Sequence, residues 1–338
     1  MSSKTAPILA VTDTALEKAA RLIVGSGLVV FPTETVYGLG ANAHDPHAVT
    51  KIFEAKGRPT FNPLISHVCD LQQAETLGEF NEDALKLADR FWPGPLTLIV
   101  KRTSDCPVCD LACAGLSTIA IRMPAHQVAR DLIRLSGVAI AGPSANLSGK
   151  ISATRPVHAA DHLGNKVDMI LADGSSAIGL ESTVVDLTGA HPVMARAGAI
   201  TLDQLEETLD KTVARGDQRT TDKPISPGQT LAHYAPDVSI RLKAVDVVPG
   251  EALLAFGSEK FMGIRGGGKS TMLPETARRN LSESGDLSEA AANLYAYLHE
   301  LDRPEHSSIA VMDIPETGLG RAINDRLRRA AAVKSEAA

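Results

Sequence analysis

Apolar and polar residues follow one another along the first two thirds of the chain in short segments of helical or strand spacing. Apolar residues at positions i, i+3 and i+4 after a Thr, Asp or Asn cap predict helices. Short apolar runs bounded by Gly, Pro or polar residues predict strands. The helices are expected at residues 14–24, 46–55, 81–91, 125–135, 157–163 and 201–209, and the strands at 28–31, 64–68, 95–100, 118–122, 138–141, 169–172 and 182–187. This alternation indicates an α/β domain with a twisted, partly parallel or mixed sheet.

The pattern changes near residue 210. Residues 210–229 are polar, contain Gly and Pro and lack periodicity, which is typical of a linker. After residue 238, strands are predicted at 252–256 and 308–312 and helices at 287–301 and 319–332. These elements indicate a small open α/β sheet. We therefore expect a first domain over residues 1–209, a linker over 210–237 and a second domain over 238–338.

Composition agrees with two domains and narrows the class of protein. The chain has 338 residues, of which 44% are hydrophobic and 22% charged, as in ordinary globular proteins. A net charge of −6 and 4% aromatic residues do not favour a nucleic-acid or membrane surface. Residues 1–7 lack an apolar signal core, and no apolar run approaches the roughly 18 residues of a membrane span. We expect a cytoplasmic protein that does not associate with a membrane.

A buried strand near the beginning of the chain ends in polar groups. The apolar run at 29–31 breaks at Pro32, and the segment TET (33–35) then precedes a predicted glycine-rich turn. Lys56 and Arg58 follow, and residues two apart in an extended segment point to the same face. Two cations on one face favour a phosphate or carboxylate. The pattern predicts an anion pocket and hence an enzyme, with a solvated surface pair as the alternative.

Two further segments add polar groups at predicted strand ends. The loop GPSANLSG (142–149), with Ser152, contains small donors that can cradle phosphates. Arg122 ends a predicted strand, and Arg196 follows an apolar stretch, so both can reach an anion at the edge of a sheet. The alternatives are a polar turn for the loop and rim salt bridges for the two arginines.

Taken in order, these motifs resemble the YrdC-like L-threonylcarbamoyladenylate synthase family in its long, two-domain form. In the first domain the resemblance rests on TETVYGLG (33–40), Lys56-x-Arg58 with NPL (62–64), Ser144-x-Asn146 and ESTVVD (181–186). It continues through SPG (226–228), HYAP (233–236), SGD (284–286), EAAANL (289–294), GLG (318–320) and AINDR (322–326). The resemblance therefore spans nearly the whole chain.

The resemblance implies a fold and a reaction. The fold would be an open twisted mixed sheet with flanking helices, followed by a smaller Rossmann-like C-terminal α/β domain, with the linker closing over the active site. The enzyme would convert ATP, L-threonine and bicarbonate into threonylcarbamoyl-AMP and pyrophosphate, with Mg²⁺ accompanying ATP. The product would feed the threonylcarbamoyladenosine modification of tRNA through downstream proteins, and weak RNA binding is a further expectation.

The resemblance also implies a role for individual residues. The catalytic cations would be Lys56 and Arg58. L-threonine would be bound by Thr35, His67, Arg122, Gly142 and Ser182. ATP would be bound by Lys56, Arg58, Asn62, Thr118, Ser144, Asn146, Ser152, Arg196, His233 and Tyr234. The resemblance implies no metal ligands among the side chains.

Three other interpretations compete with this one. The segment GIRGGGKS (263–270) matches the P-loop pattern of a nucleotidase, although Pro274 is badly placed for the helix that a P-loop requires. A double-stranded RNA-binding module could use the same cleft. Cys106, Cys109 and Cys113 are spaced like half of a zinc or iron–sulfur site, but structural thiols are the favoured interpretation.

Overall fold

A computed structural model describes residues 5–216, 233–258 and 262–332, which divide into two compact units. The first unit contains Met1–Ser148, Ser152–Ala177 and Glu181–Thr230, and the second contains Gly149–Ile151, Ile178–Leu180 and Leu231–Ala338. Residues 217–232 lie outside the described ranges, and with them most of the predicted linker and the SPG motif.

The strands and helices alternate along most of the chain. The strands are β1 Ile8–Ala10, β2 Val29–Phe31, β3 Gly38–Asn42, β4 Ile65–His67, β5 Gly78–Glu79, β6 Leu96–Arg102, β7 Thr118–Arg122, β8 Ile140–Ala141, β9 Met169–Ala172, β10 Thr183–Asp186, β11 Val193–Arg196, β12 Ala214–Arg215, β13 Ser239–Arg241, β14 Asp246–Val247, β15 Ala252–Ala255, β16 Gly263–Ile264, β17 Arg278–Asn280 and β18 Ser308–Val311. The α-helices are α1 Asp13–Val24, α2 Pro46–Lys56, α3 Leu71–Leu77, α4 Glu82–Phe91, α5 Gln127–Ser136, α6 Pro156–Leu163, α7 Leu202–Leu209, α8 Leu287–Leu301 and α9 Gly320–Ala332, and 3-10 helices cover Ser270–Met272 and Glu275–Ala277.

The first unit is built on a 12-stranded sheet in the order β1-β9-β2-β3-β8-β4-β7-β6-β10-β11-β12, with β5 paired to β6. The sheet contains parallel pairs, such as β4/β7 and β6/β10, and antiparallel pairs, such as β3/β8 and β6/β7. The predicted mixed α/β sheet is thus confirmed. Because β4 and β7 are parallel, their last residues, His67 and Arg122, lie side by side at one edge.

Local signals explain where the helices begin and end. Thr12 and Asn81 cap α1 and α4 by accepting hydrogen bonds from backbone N–H groups of the first turn. Thr201 opens α7 with a capping box. Gly57 ends α2 at φ 61°, in the left-handed region that favours glycine, and so turns the chain sharply into Arg58.

The glycine-rich run after Tyr37 is a strand, and the predicted turn is wrong. β3 pairs antiparallel with β2, and Gly38 lies opposite Phe31. A Cβ atom at Gly38 would lie 2.8 Å from the Phe31 ring, and one at Gly40 would lie 2.9 Å from it. The two glycines therefore make room for a buried aromatic ring. A sequence pattern does not distinguish this use of glycine from its use in a turn.

The second unit contains a separate four-stranded sheet in the order β13-β18-β15-β17, in which every neighbouring pair is parallel. Helix α8 packs against β15 and β17, and α9 packs against β13. Asp286 caps α8 by accepting a hydrogen bond from the backbone N–H of Glu289. This small parallel α/β sheet agrees with the predicted second fold.

Candidate active site

Arg122 is the centre of a buried polar cluster at the carboxyl end of β7. Its side chain is only 4% exposed. Nη1 donates to Thr35 Oγ1 at 2.9 Å, Nη2 donates to Glu34 Oε1 at 2.6 Å, and Nε donates to the Gly94 carbonyl oxygen at 3.3 Å. A guanidinium carries five N–H groups. Contacts within the described ranges therefore leave two of them for a ligand anion.

Glu34 pairs with Arg122 through one carboxylate oxygen only. Burial raises the pKa of Glu34, but the charge and hydrogen bond of Arg122 outweigh burial, so the pKa is lowered overall and the group is ionised. The other oxygen, Oε2, is buried and has no hydrogen-bond partner in the part of the chain that the structure describes. A buried, ionised oxygen without a partner is unfavourable, so it indicates a site for a cationic or hydroxyl-bearing ligand.

The hydroxyl groups of the TET segment fix its backbone. Thr33 Oγ1 donates to the Val36 carbonyl oxygen at 2.6 Å and accepts from the backbone N–H of Thr35 at 3.2 Å. The hydroxyl oxygens of Thr33 and Thr35 lie 2.9 Å apart. This local turn holds Glu34 and Thr35 against Arg122, 87 residues further along the chain.

His67 lies beside Arg122 on the neighbouring strand β4. Burial, assisted by the positive charge of Arg122, lowers the pKa of His67 to about 3, so its imidazole is neutral near pH 7. Its Nδ1 atom is buried and has no partner among the described residues. A Cβ atom at Gly142 would lie 2.9 Å from this nitrogen. Gly142 thus leaves the space that the imidazole needs.

Lys56 is the last residue of α2 and is 3% exposed. Its Nζ donates to the carbonyl oxygen of Ser144 at 2.6 Å and also to that of Asn146. Burial, with a smaller contribution from Arg58, lowers the pKa of Lys56 well below its usual value. The lysine therefore fixes the Ser144–Asn146 loop from within the protein.

Arg58 lies two residues beyond the end of α2 and is 8% exposed. Its Nη2 donates to the Pro63 carbonyl oxygen at 3.1 Å, and its Nε donates to that of Asn62 at 3.4 Å. The loop after α2 therefore folds around this guanidinium. A helix end and the left-handed Gly57 separate Arg58 from Lys56, so the expected extended segment is wrong, and the burial of both cations contradicts the solvated-pair alternative.

Arg196 and Ser182 form a second buried junction. Arg196 ends β11, and its Nη2 donates to Ser182 Oγ at 3.0 Å while its Nε donates to the Ser182 carbonyl oxygen at 3.1 Å. Ser182 Oγ also lies 2.7 Å from Thr97 Oγ1. A residue predicted to bind threonine and one predicted to bind ATP therefore contact each other directly. The rim-salt-bridge alternative is wrong for Arg196, which is 6% exposed.

Ser152, predicted to bind ATP, is fully buried and donates from Oγ to Glu181 Oε1 at 2.6 Å. Thr118 lies at the start of β7, four residues before Arg122, which corresponds to about 13 Å along a strand. The cross-strand neighbour of Thr118 is Lys101. The assignment of Thr118 to ATP therefore stays a prediction, as do the ligand roles of the other residues.

His233 and Tyr234 belong to the second unit. Tyr234 is 1% exposed, has φ 66°, and stacks on Tyr295 with ring centroids 5.8 Å apart. The Arg326 guanidinium lies 5.3 Å from the centre of the Tyr234 ring, which is cation–π geometry. The ring of His233 lies 4.1 Å from that of Tyr234. Packing within this unit thus fixes the conformation of the pair.

Glu34 and Glu181 are buried carboxylates to which the sequence interpretation assigned no role. Each is an acidic residue beside a hydroxyl-bearing residue in an otherwise apolar and buried stretch. This combination is a usable signal, because carboxylates are seldom buried without a cation or a donor. Their partners, Arg122 and Ser152, are 88 and 29 residues away in sequence, so the pairing itself requires the fold.

The segment 263–270 does not form a P-loop. The three-residue 3-10 helix Ser270–Met272 follows Lys269 directly, where a P-loop requires an α-helix. Ser270 is fully buried, and its backbone N–H donates to the Met262 carbonyl oxygen at 3.0 Å, so it is not placed to bind a metal–nucleotide complex. The nucleotidase alternative is therefore wrong.

Cys106, Cys109 and Cys113 are free cysteines. Cys113 is buried, and burial raises the pKa of its thiol to about 12. Across residues 5–216, 233–258 and 262–332, no group of three or more His, Cys, Asp or Glu side chains could hold a metal ion. None of the helices within these same ranges has the length and apolar character that crossing a membrane requires.

Two family models together match most of the chain. A family model covering Sua5, YciO and YrdC, described as "Telomere recombination", matches residues 21–198, and one described as "Threonylcarbamoyl-AMP synthase, C-terminal domain" matches residues 200–332. The threonylcarbamoyl-AMP synthase of Bacillus subtilis is 41% identical over 331 residues, which cover 96% of this chain and 94% of the relative.

Two solved structures are similar over nearly the whole chain. The crystal structure of Pyrococcus abyssi Sua5 complexed with L-threonine has a TM-score of 0.85 and 36% identity and covers 96% of this chain and 97% of that one. The structure of a P. abyssi Sua5 variant, in which an adjacent His and Tyr are changed to Ala, has a TM-score of 0.83, 35% identity and 96% coverage of both chains.

Proposed function

The chain belongs to the two-domain threonylcarbamoyl-AMP synthase family that includes Sua5, and we propose that it converts ATP, L-threonine and bicarbonate into threonylcarbamoyl-AMP and pyrophosphate. The observation that carries this proposal is the cluster around Arg122. This cluster contains the guanidinium of Arg122 with two remaining N–H groups, an ionised oxygen of Glu34 and a neutral nitrogen of His67. The Glu34 oxygen and the His67 nitrogen have no partners among the described residues. L-threonine supplies a carboxylate, an amine and a hydroxyl, which complement this cluster.

Each group of threonine has a suitable protein partner. The Arg122 guanidinium would bind the carboxylate, since paired N–H donors match carboxylate geometry. Glu34 Oε2 would accept from the amine, and His67 Nδ1 would bond the side-chain hydroxyl. Gly142 keeps the space for His67, while Thr35 and Ser182 present hydroxyls that already contact Arg122 and Arg196. Occupation by threonine would thus satisfy the buried atoms that lack partners.

The chemistry needs no side-chain nucleophile. The threonine amine, after losing a proton, attacks the carbon of bicarbonate or CO₂ and forms a carbamate, with loss of water in the case of bicarbonate. A carbamate oxygen then attacks the α-phosphorus of ATP, the bond to the β-phosphate oxygen breaks, and pyrophosphate leaves. The contribution of the protein is to bring the reactants together and to stabilise the developing negative charge.

The phosphates would be held by cations and small donors. Lys56, Arg58 and Arg196 are buried cations whose own hydrogen bonds fix their positions before a ligand binds. The loop of Ser144 and Asn146 is held by Lys56, and Asn62 keeps a buried Oδ1 without a partner among the described residues. Ser152 and Thr118 complete the set that we assign to ATP, together with His233 and Tyr234 of the HYAP motif.

Magnesium would arrive with ATP. Mg²⁺ keeps several waters and binds largely through substrate phosphates, so it needs no dedicated cage of protein side chains. The ion would supply positive charge to the phosphates. Glu34 and Glu181 are buried carboxylates of the first unit, and each bonds an assigned residue, Arg122 and Ser152 respectively. We further propose that the product feeds tRNA modification through downstream proteins in the cytoplasm, where ATP and tRNA are both present.

The proposal is tested by measuring pyrophosphate release from ATP. We expect release to require both L-threonine and bicarbonate and to stop when threonine is omitted or replaced by valine, which lacks the hydroxyl. Lys56→Ala and Arg58→Ala should each abolish release. Because both side chains also hold backbone carbonyls, circular dichroism and urea unfolding of each variant must accompany the assay.

Three results would contradict the proposal. The first is threonine-independent pyrophosphate release, and the second is near-normal turnover in a folded Lys56→Ala or Arg58→Ala variant. The third is tight binding of double-stranded RNA without any turnover, which would favour the RNA-binding alternative. Lys101→Ala, which removes an exposed cation of β6, is the matched control and should leave turnover unchanged.

A further inference from the structure

The second unit contains a cleft of about 600 Å³ that the proposed reaction does not use. It is lined by the loop after β15, by β17 and the loop after it, and by two residues at the end of the segment that resembles a P-loop without being one, Lys269 and Thr271. Polar side chains dominate the lining, namely Ser258, Lys269, Thr271, Arg278, Asn280 and Glu283. A volume of this size accommodates a small molecule as large as a nucleotide.

The cleft lies where parallel sheets bind ligands. β15 and β17 are parallel neighbours, with Ala255 beside Asn280, and both strands end at the cleft. Ligands of open α/β sheets bind beyond the carboxyl ends of the strands. The two strand-end loops are tied together, since Asn280 Nδ2 donates to the Gly257 carbonyl oxygen at 2.9 Å and the Gly257 N–H donates to that of Ser282 at 2.8 Å. The base of the cleft is therefore fixed without a ligand.

The charge of the lining favours an anion. Among the described residues that line the cleft, Lys269 and Arg278 are cationic and Glu283 is the one carboxylate. Side chains alternate along β17, so Arg278 and Asn280 share one face while Arg279 points to the other. Arg279 bonds Glu300 of α8 and the carbonyl oxygen of Glu275. The two neighbouring arginines thus lie in different places, since Arg279 contacts α8 and Arg278 lines the cleft.

The glycine-rich segment that immediately precedes Lys269, one of the lining residues, has an open backbone at two positions. Gly266, Gly267 and Gly268 have φ values of 97°, 124° and 108°, which are strained for other residues. A Cβ atom at Gly266 or Gly267 would meet no atom within 4 Å. Exposed Ser258 and Thr271 add hydroxyl donors at the rim. Cations, hydroxyls and exposed glycine backbone are the groups that bind phosphate oxygens.

We propose that this cleft is a second ligand site, distinct from the active site, and that it binds a phosphate-bearing small molecule through Lys269 and Arg278. The scarcity of apolar side chains in the lining favours the phosphate over a base or an acyl chain as the recognised group. Glu283 can accept hydrogen bonds from ribose hydroxyls, which would favour a nucleotide over inorganic phosphate. The site does not depend on the function proposed above.

The test uses the full chain labelled with ¹⁵N at glycine, because Gly257 lines the cleft and Gly266–Gly268 immediately precede its lining residue Lys269 in sequence. Inorganic phosphate, pyrophosphate and ATP are titrated separately, and the amide signals are followed by NMR. We expect these four glycine signals to shift with at least one of the three probes. Lys269→Gln and Arg278→Gln should each weaken the apparent affinity by about ten-fold or more, as loss of a charge-assisted hydrogen bond does.

The control variants separate this cleft from the active site. Lys243→Gln removes an exposed lysine of the same unit outside the cleft and should leave the titration unchanged. Signals of Gly38, Gly40 and Gly142 report on the first unit and should respond alike in all variants. The proposal is overturned if none of the probes moves the four glycine signals. It is also overturned if these signals move in Lys269→Gln and Arg278→Gln as they do in the unchanged chain. The rank of phosphate, pyrophosphate and ATP identifies the recognised group, and failure of the threonine-dependent assay would leave this result untouched.

Discussion

Both units place cations at their candidate sites, but they hold them in different ways. In the first unit Lys56, Arg122 and Arg196 are at most 6% exposed, and each donates to the protein itself. In the second unit Lys269 is exposed and Arg278 is half-buried. Cations that are fixed before the ligand arrives need no reorganisation during a reaction, which suits catalysis. Exposed cations are more mobile and are screened by salt, which suits reversible binding.

The two regions also differ in what they leave unsatisfied. Glu34 Oε2 and His67 Nδ1 are buried without partners among the described residues, and each such atom costs about 1–3 kcal/mol of stability. In the second unit, Asn280 is committed to the neighbouring loops on both sides of its amide group. The first unit therefore gives up stability at its site, as active sites often do. We expect ligand binding to stabilise the first unit most.

The largest expected effect comes from breaking the buried ion pair. Arg122→Ala removes the partner of Glu34 and leaves a carboxylate in a site that is nine-tenths buried. Loss of one member of a buried pair typically costs about 3–5 kcal/mol. We expect urea unfolding to show a loss of this size, together with loss of threonine-dependent turnover.

Arg102→Ala is the matched control for this variant. Arg102 is 18% exposed and also donates to the Val108 carbonyl oxygen, but its ionic partner Asp110 is 84% exposed, so the ion pair itself should contribute no more than about 1 kcal/mol. Combining Arg122→Ala with Glu34→Gln should recover part of the lost stability, because the uncompensated charge is then removed. Equal losses in Arg122→Ala and Arg102→Ala would show that burial does not distinguish the two ion pairs.

A smaller effect is expected at Gly38, where the first unit requires glycine for packing. Gly38→Ala would place a Cβ atom 2.8 Å from the Phe31 ring, and overpacking of this kind typically costs about 1–3 kcal/mol. Phe31→Leu in the same chain should relieve the clash, so the double variant should lose less than the two single losses together. Gly189→Ala is the control, since its Cβ atom would lie 3.8 Å from the nearest atom. A loss at Gly38 as small as that at Gly189 would contradict the packing role.

Elements with strong local signals could be predicted from the sequence. The helix expected at residues 287–301 is α8, whose cap Asp286 and apolar spacing are both local. The strand expected at residues 118–122 is β7, whose short apolar run is likewise a local signal. By contrast, the helix α3 and the short strands β1 and β11 were not predicted. These are three, four or seven residues long, so packing rather than periodicity determines them.

The candidate site could be located from the sequence but not resolved. Motifs identified Lys56 and Ser144, and the end of a predicted strand pointed to Arg122. That Lys56 bonds to Ser144 could not be predicted, since 88 residues separate them and only the sheet brings them together. The same holds for Glu34, whose role depends on the distant Arg122.

The next effect in size comes from the neutral histidine of the first unit. Burial lowers the pKa of His67 to about 3, whereas the unfolded chain takes up the proton near the ordinary value of about 6.5. Below pH 6.5 the unfolded state binds more protons, so the contribution of this group to stability falls as pH falls towards 3. Between pH 7 and 5.5 the loss should be about 1 kcal/mol.

His67→Gln isolates this contribution. Urea unfolding at several pH values should show a shallower loss of stability on acidification in His67→Gln than in the unchanged chain. His191→Gln removes an exposed histidine and should keep the original slope. Arg122 and Glu34 face His67 and remain in both variants, so the difference between the two slopes belongs to the imidazole. Identical slopes in all three proteins would show that His67 is not held neutral by burial.

The smallest effect is expected at the exposed cation of the second unit. Lys269→Gln removes a charge from a side chain that the solvent surrounds, and such substitutions change the free energy of unfolding by no more than about 0.5 kcal/mol. The same change at Lys56 removes the donor that bonds the carbonyl oxygens of Ser144 and Asn146, so it should cost several times more. Urea unfolding of the two variants side by side measures the difference directly. A large loss in Lys269→Gln would mean that this lysine supports the fold of the second unit, and the contrast between a fixed and a free cation would then fail.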